Sequence, residues 1–574
     1  MRFFSDVRTY NRAFFRKDLF AAFSIACLVI PQSIAYALLA DLPVISGLYS
    51  AIFGTFIAAM FSRSSLLMSG PSTAMAILVQ TAIAEARRGT VHPIDPFHVL
   101  SQLVILVAFL YILFSLFNIG RCLQFVSRSV MLGYFSGLSV VIIIEQMLSL
   151  VHGPSVGKPI DSSIGSSFVL RKMAALFSPD QTVYWTPFIG AILGLAFLFF
   201  MKKKYASFPS AFILLFGSAY LSYAFALFHH IPTLNASTPL YFSAEIKAPS
   251  IDLLLMREIF PSALAIALLG VIEAFSAAKA LSAKSKDAIC HNQDVFSLGM
   301  ANSSLSLFPF SMPASASVTR SLLAYNVGGK TRLSGMISSC FVYGILFFFW
   351  PCVSYIPLFA FSALLIFTAL HVVDRQALKL CFRATKEDAW IFSMTFFLCM
   401  VFRLDIAFIV GAFFSIGFYL RSVAIPHFQE YAFDYAGKLS IIQPNAKKHS
   451  KVRIIGIGGE LFFGVVDVLE KAIANIAKDD EVKVVVLRLN NVHHMDGSMC
   501  LALVQLHEQL QASGRHLLIS GITTKVWRVL ERSEVLQKLR QENFFLRDET
   551  RPQLSTWKAC LRAEELLTTS ISNL

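Results

Sequence analysis

The chain has 574 residues, 56% of them hydrophobic and 15% charged, with 54 Phe. A soluble domain carries about 25% charged residues, so a wholly soluble protein is excluded and a polytopic membrane protein is indicated. The net charge of +14 does not argue for a nucleic-acid partner, because the basic residues cluster between hydrophobic runs rather than along one stripe.

Residues 1–18 carry Arg2, Arg8, Arg12, Arg16 and Lys17 and read as a cytoplasmic N-terminal segment. No small-residue cleavage site follows, so no removable signal peptide is read. Hydrophobic segments then run at 19–40, 44–61, 70–84, 98–119, 123–150, 183–201 and 208–229. A second set runs at 259–280, 293–308, 314–325, 335–351, 354–372, 387–402 and 405–424. That makes fourteen segments in two groups of seven. Since seven is odd, the two groups form an inverted repeat, over about 19–229 and 259–424.

Two segments, 70–84 and 314–325, are short for a crossing, which needs about 20 residues. Each is third in its group. Short, Gly/Pro-interrupted segments at matching places in two halves point to a transporter's binding site. Their sequences echo, with Ser69-Gly70-Pro71-Ser72-Thr73-Ala74 set beside Ser311-Met312-Pro313-Ala314-Ser315-Ala316. In the second, Pro309 and Pro313 interrupt an apolar chain before Thr319 and Arg320. A charge at that depth is costly unless it faces a cavity or a partner. A helix that starts inside the membrane leaves backbone N–H groups unpaired at its positive dipole end. With an arginine beside them, the guest they suit is an anion. The competing reading is a kinked helix whose Arg320 reaches the interface.

Loop charge gives the orientation. Arg63, Arg121, Lys202–Lys204, Lys284, Lys286, Lys330, Arg332, Arg375, Lys379, Arg383 and Lys386 fall in the inner loops if the N-terminus is inside. The loops 151–182 and 230–256 carry both signs, and long translocated loops count little. An even number of spans leaves the C-terminus in the cytoplasm too. Arg63, Glu85 and Lys279 stand at span ends and read as anchors, and Glu145 as interfacial or structural.

From about residue 438 strands alternate with helices: strands at 438–442, 452–457, 483–489 and 516–521, and helices at 465–476, 498–512 and 524–536. That is the pattern of a small α/β domain, placed at 438–548. Residues 549–574 read as an exposed tail. The nine cysteines are scattered singly, and His229-His230 and His493-His494 lack companion ligands, so neither a metal site nor a disulfide framework is expected. No cofactor and no catalytic constellation is read, so the chain is not expected to be an enzyme.

Several stretches resemble the sulfate permease (SulP) family: IPQSIAYALLADLPVISGLYSAIFGT, MSGPSTAMAIL, GVIEAFSAAKAL with the NQD at 292–294, and SVTRSLLAYNVGGKTRLSGM. The tail resembles a STAS domain through VVVLRLNNVHHMDGSMCLAL and LLISGITTKVWRVLERSEVLQKL. The resemblance implies a polytopic α-helical fold of 14 spans in a 7+7 inverted repeat, like the uracil permease. Spans 1–4 and 8–11 would form a core and spans 5–7 and 12–14 a gate, over residues 19–425. A cytoplasmic STAS domain would follow.

The resemblance also implies the site. Ser72 and Thr73 would belong to one half-helix start, and Val318, Thr319 and Arg320 to the other. Gln32 and Tyr36 would line the same pocket, and Glu273 would be linked to the coupling ion. Gln32 can donate N–H and Tyr36 O–H to an oxyanion; the competing reading for both is an interhelical hydrogen bond. Asp496-Gly497-Ser498 falls where related soluble domains carry a phosphorylatable serine, although Asp or Ser there also makes an ordinary N-cap. Ser498 is therefore a candidate regulatory residue.

The function expected is secondary active anion transport in the inner (plasma) membrane, with sulfate first. Uptake would be coupled to protons or sodium, or proceed by anion exchange, in a homodimer within the lipid bilayer. Bicarbonate or a dicarboxylate is the alternative within the family. An anion channel and a sensor with STAS output are the alternatives outside it.

Overall fold

The computed structural model describes residues 11–88, 95–119, 127–152, 185–205, 208–225, 233–234, 251–285, 290–308, 310–423, 427–433, 439–441, 451–462, 465–466, 469–471, 473, 479 and 481–572. Outside them lie Arg121, Lys286, Pro309, His229 and His230, most of the loops 151–182 and 230–256, and much of the expected helix 465–476. The chain divides into two compact units, one up to Ile416 and one from Gly417.

The first unit is helical. Its elements are α1 (Arg12–Leu39), α2 (Val44–Phe61), α3 (Thr73–Arg88), α4 (Pro96–Leu116), α5 (Arg128–His152), α6 (Trp185–Lys204) and α7 (Ser210–Phe225). Then come α8 (Leu253–Ser285), α9 (His291–Leu305), α10 (Val318–Asn326), α11 (Leu333–Val353), α12 (Leu358–Val372), α13 (Arg375–Ala384), α14 (Lys386–Val401) and α15 (Leu404–Val423). Every one of the fourteen expected segments overlaps a helix; α13 is additional. Among the described residues nine helical runs are long and apolar enough to cross a membrane. By contrast α3, α7, α9, α10 and α14 have 16 residues or fewer.

Local chemistry sets the helix ends. Asp95 caps α4 through the N–H of Phe97, with Pro96 at the first helical position. Asp374 caps α13 and Thr385 caps α14. Pro31 lies inside α1 and Pro261 inside α8, each removing one ladder hydrogen bond. In α2 the turn Ser50–Gly54 is π-helical, and Gly54 packs against Ala314 and Leu305.

Packing sorts the helices as the core and gate expectation does. On one side α1 packs on α2 and α11, α4 on α8 and α9, and α9 on α2; on the other α5 packs on α12 and α14, and α6 on α12. Two buried aspartates, Asp18 within α1 and Asp294 in the first turn of α9, lock the first group. Asp18 of α1 accepts from the N–H groups of Lys330 and Thr331 and from the Thr331 hydroxyl. Asp294 of α9 accepts from the N–H groups of Arg63 and Ser64 and from the Ser64 hydroxyl. Glu85, read as an anchor, pairs with Arg403 at 2.9 Å.

The second unit is built on a six-stranded sheet of order β4-β3-β5-β6-β7-β8: β3 (His427–Phe433), β4 (Leu439–Ile441), β5 (Val452–Leu461), β6 (Val484–Met495), β7 (His516–Ile522) and β8 (Phe544–Leu546). From β5 to β8 the strands are parallel; β3 is antiparallel to β4 and β5. Side chains alternate across β6, so Val485 and Leu487 face one core with α16 (Gly497–Ala512) and α17 (Thr524–Arg532). Val484 and Val486 face a second core.

That second core corrects the expected tail. Residues Leu554–Ser572 form a helix, α18, whose Ala559 and Ala563 are buried against Ile454, Val484, Val486 and Leu518. The buried stripe of α18 is made partly of alanines, so hydropathy alone does not mark it as a core element. Strands β3 and β8 are likewise additional to the four expected.

Candidate functional site

The two short segments meet through a two-stranded antiparallel ribbon. In it β1 (Ser69–Gly70) pairs with β2 (Ser315–Ala316), with Ser69 opposite Ala316 and Gly70 opposite Ser315. β1 leads into α3 and β2 into α10. Because the strands are antiparallel, the helices leave in opposite directions with their N-termini adjacent. Each is capped by a serine: Ser72 accepts from the N–H of Met75, and Ser317 from the N–H of Arg320. The remaining N–H groups of both first turns point at one region of positive potential.

The caps also correct the sequence echo. Ser72 aligns with Ser317, whereas the echo set Pro71 beside Pro313, three residues away from that register. Runs of small residues match at several offsets, and only the helix starts discriminate between them.

Surrounding bonds hold the ribbon. Ser317 N–H donates to the Met68 carbonyl at 2.8 Å, and Met68 N–H to the Ser321 hydroxyl at 2.9 Å. The Thr55 hydroxyl donates to the Ser69 carbonyl at 2.6 Å. Asn302 of α9 brackets Ala314, donating to its carbonyl and accepting from its N–H, both at 2.9 Å.

Arg320 is 1% exposed, which removes the reading in which it reaches an interface. Its Nη2 donates to the Pro71 carbonyl at 2.8 Å. Its Nε and Nη1 have no hydrogen-bond partner among the described residues. Gly70, at φ +147°, leaves the room this side chain occupies: a Cβ there would stand 2.7 Å from Nη1.

Glu273 of α8 is buried too, and its Oε2 accepts from the Ser315 hydroxyl at 2.5 Å and the Ser72 hydroxyl at 3.4 Å. A guanidinium and a carboxyl thus both line one desolvated junction, each tied to it by its own hydrogen bonds. Tyr36 of α1 lies beside Thr73, and Gln32 is buried one turn before it on the same helix. Val318 is half-buried and Thr319 exposed, its hydroxyl 3.1 Å from that of Ser317.

The structure therefore gathers Tyr36, Ser72, Thr73, Glu273 and Arg320 closely and places Gln32, Val318 and Thr319 on the flanking turns. Sequence reasoning did not single out Ser315, Ser317, Gly70, Asn302 or Tyr111. The run Ser315-Ala316-Ser317 before Arg320 carried the signal for the first two. Tyr111 of α4 packs its hydroxyl against Gly270, three residues before Glu273. Among the described residues no group of three or more His, Cys, Asp or Glu side chains could hold a metal ion.

In the second unit Asp496 caps α16 by accepting from the N–H of Met499 at 2.9 Å. Ser498 is exposed in the first turn, so the ordinary cap is made by the aspartate and the serine hydroxyl is left at the surface.

A family model described as the sulfate permease family matches residues 15–395, and the STAS domain model matches residues 443–550. The sulfate transporter 4.1, chloroplastic, of Arabidopsis thaliana is 28% identical over 573 residues, covering 95% of this chain and 81% of that protein. A putative sulfate transporter, YvdB, of Bacillus subtilis is 25% identical, covering 95% and 98%. The solved structure of the murine Slc26a9 anion transporter in the inward-facing state superposes with a TM-score of 0.84 at 19% identity, covering 98% of this chain and 94% of that one. The transmembrane domain of a cyanobacterium bicarbonate transporter, BicA, superposes with a TM-score of 0.56 at 18% identity, covering 71% and 97%.

Proposed function

Because the chain belongs to the sulfate permease family, we propose that this integral membrane protein is a secondary active anion transporter that takes up sulfate with protons. One observation carries the reading: the buried Arg320 guanidinium presents two N–H edges without hydrogen-bond partners among the described residues, where two helix N-termini meet. An oxyanion there would exchange its water shell for N–H and O–H donors. Ser72, Thr73, Val318, Thr319 and Arg320 contribute from the helix starts, and Gln32 and Tyr36 from α1. The names of the relatives favour sulfate. Bicarbonate and dicarboxylates have the same carboxylate-like edge and are the competing substrates.

Transport follows if the helices that carry the site move as a core against the gate helices, in a 7+7 inverted repeat of fourteen spans. The N-terminus and STAS domain lie in the cytoplasm, the membrane is the plasma membrane, and the protein works as a homodimer. Glu273, buried on α8 and hydrogen-bonded by Ser315 and Ser72 beside the anion site, takes the coupling proton. Bringing a dianion into a negative-inside cell costs roughly 2 × 2.3 kcal/mol per 100 mV, and one proton offsets about half of it. A second cation, a monoanionic substrate or exchange against an internal anion supplies the rest. Ser498 is left as a surface hydroxyl open to modification.

The test is uptake into proteoliposomes of labelled sulfate, bicarbonate and dicarboxylates, with and without an acid-outside pH gradient. Sulfate should accumulate, and more so under the gradient. Failure of every anion to accumulate would overturn the proposal.

A further inference from the structure

We propose that Ser315, with Ser72 in a smaller part, links the proton on Glu273 to the affinity of the anion site. This rests on the reading of Glu273 as the proton site. A serine hydroxyl has one hydrogen to give and two lone pairs. The single hydrogen of Ser315 goes to Glu273 Oε2 at 2.5 Å, and that of Ser72 goes to the same oxygen at 3.4 Å. One lone pair of Ser72 is already committed, since it accepts from the N–H of Met75 as the cap of α3. Both hydroxyls sit on the ribbon or cap from which the half-helices start. An ionised carboxylate only accepts, so it claims both hydrogens.

A proton arriving on Glu273 changes the direction of the bonds. The protonated carboxyl donates one O–H. Ser315 can accept it and turn its own hydrogen away, toward the region faced by the two helix starts. The carboxyl O–H is the one covalent bond made; the one broken is an O–H of a solvent hydronium ion, which is left as water. The local charge rises from that of a Glu273–Arg320 pair to that of Arg320 alone. The other groups that feel Glu273 are Tyr36 from α1, Tyr111 from α4, Tyr134 from α5 and Arg320 from α10. Among the described residues, the hydroxyls of Ser72 and Ser315 are its hydrogen-bond partners on the α3 and β2 side. Arg320 alone among these carries a fixed charge near neutral pH. Ser315 is thus a positioning residue whose hydrogen serves the carboxylate or the anion, never both.

The experiment measures sulfate affinity of the purified full chain in nanodiscs across pH 5 to 9 for wild type, Ser315→Ala, Ser72→Ala and Glu273→Gln. Wild type should tighten as pH falls, and Glu273→Gln should be flat. Ser315→Ala takes a donor from the charged carboxylate, so the proton binds more readily and the midpoint moves up by about 1–2 pH units. Its affinity at the acid limit should also fall several-fold. Ser72→Ala should move the midpoint the same way by less. A Ser315→Ala protein weakened by one factor at every pH, with its midpoint unmoved, would reduce Ser315 to a structural role and overturn the link. A wild type without any pH response would overturn the Glu273 reading and the link together.

Discussion

Arg320 donates to the Pro71 carbonyl at 2.8 Å, so the charge on the first turn of one half-helix is tied to the residue just before the cap of the other. The bond crosses 249 residues of sequence. It uses one nitrogen of the guanidinium and holds the plane so that the remaining N–H edges stay in the junction. A buried charge that served only packing would have its donors consumed by protein acceptors.

Gly70 makes that geometry available. A Cβ at this position would collide with Arg320 Nη1, and the φ of +147° is one that L side chains rarely adopt. Gly70→Ala should insert in the membrane but lose most anion uptake, because the guanidinium must move off the junction. Uptake in proteoliposomes, normalised to inserted protein, checks this; wild-type uptake by Gly70→Ala would show that the side chain has room to spare.

Asn302 should matter to stability more than to chemistry. Its side chain pairs both polar groups of the Ala314 backbone, which is fully buried. Asn302→Leu leaves an N–H and a C=O unpaired, at about 1–3 kcal/mol for each group. The midpoint of thermal unfolding in detergent should fall. An unchanged midpoint would mean that the ribbon is held sufficiently by the Met68 and Thr55 contacts.

For the STAS domain the relevant boundary is α18. A fragment spanning 427–572 should be soluble and unfold cooperatively. One ending at 548 loses Ala559 and Ala563 and exposes Ile454, Val484, Val486 and Leu518, so it should aggregate or unfold at a lower temperature. Equal stability of the two fragments would contradict the packing.

The same domain should weaken in acid. Burial, with Arg540 adding to it, holds His507 and His516 below the ordinary histidine range. Their unfolded forms then bind protons first. Stability contributed by the neutral rings is complete above the unfolded value of about 6.5 and is lost as pH falls through it toward the folded values. Thermal midpoints of the 427–572 fragment should drop between pH 7.5 and 5.5, and less so in His507→Gln with His516→Gln. A wild-type midpoint flat over that range would contradict the assignment.

Much of this is legible in the sequence. Arg320 stands out as a charge in an apolar run, and the paired short segments are the two that the structure brings together. Hydropathy also placed every helix that the fourteen segments anticipated. Ser315 was hidden because its role depends on a partner 42 residues away on α8, which no local pattern encodes. The register between the repeats was misread by three residues, since small residues carry little positional information without their caps. Helix α18 was missed because it buries alanines rather than large apolar side chains, and β3 because its burial depends on strands that follow it.

The central claim is that an anion is held between the two half-helix starts by Arg320, and the most direct measurement is equilibrium binding of labelled sulfate to purified Arg320→Ala beside wild type. A charged hydrogen bond lost in a desolvated site costs about 1.5–3 kcal/mol, so affinity should fall roughly 10- to 150-fold, while the unfolding temperature shows that the variant is still folded. A folded Arg320→Ala protein that binds sulfate as tightly as wild type would contradict the claim and place the anion elsewhere.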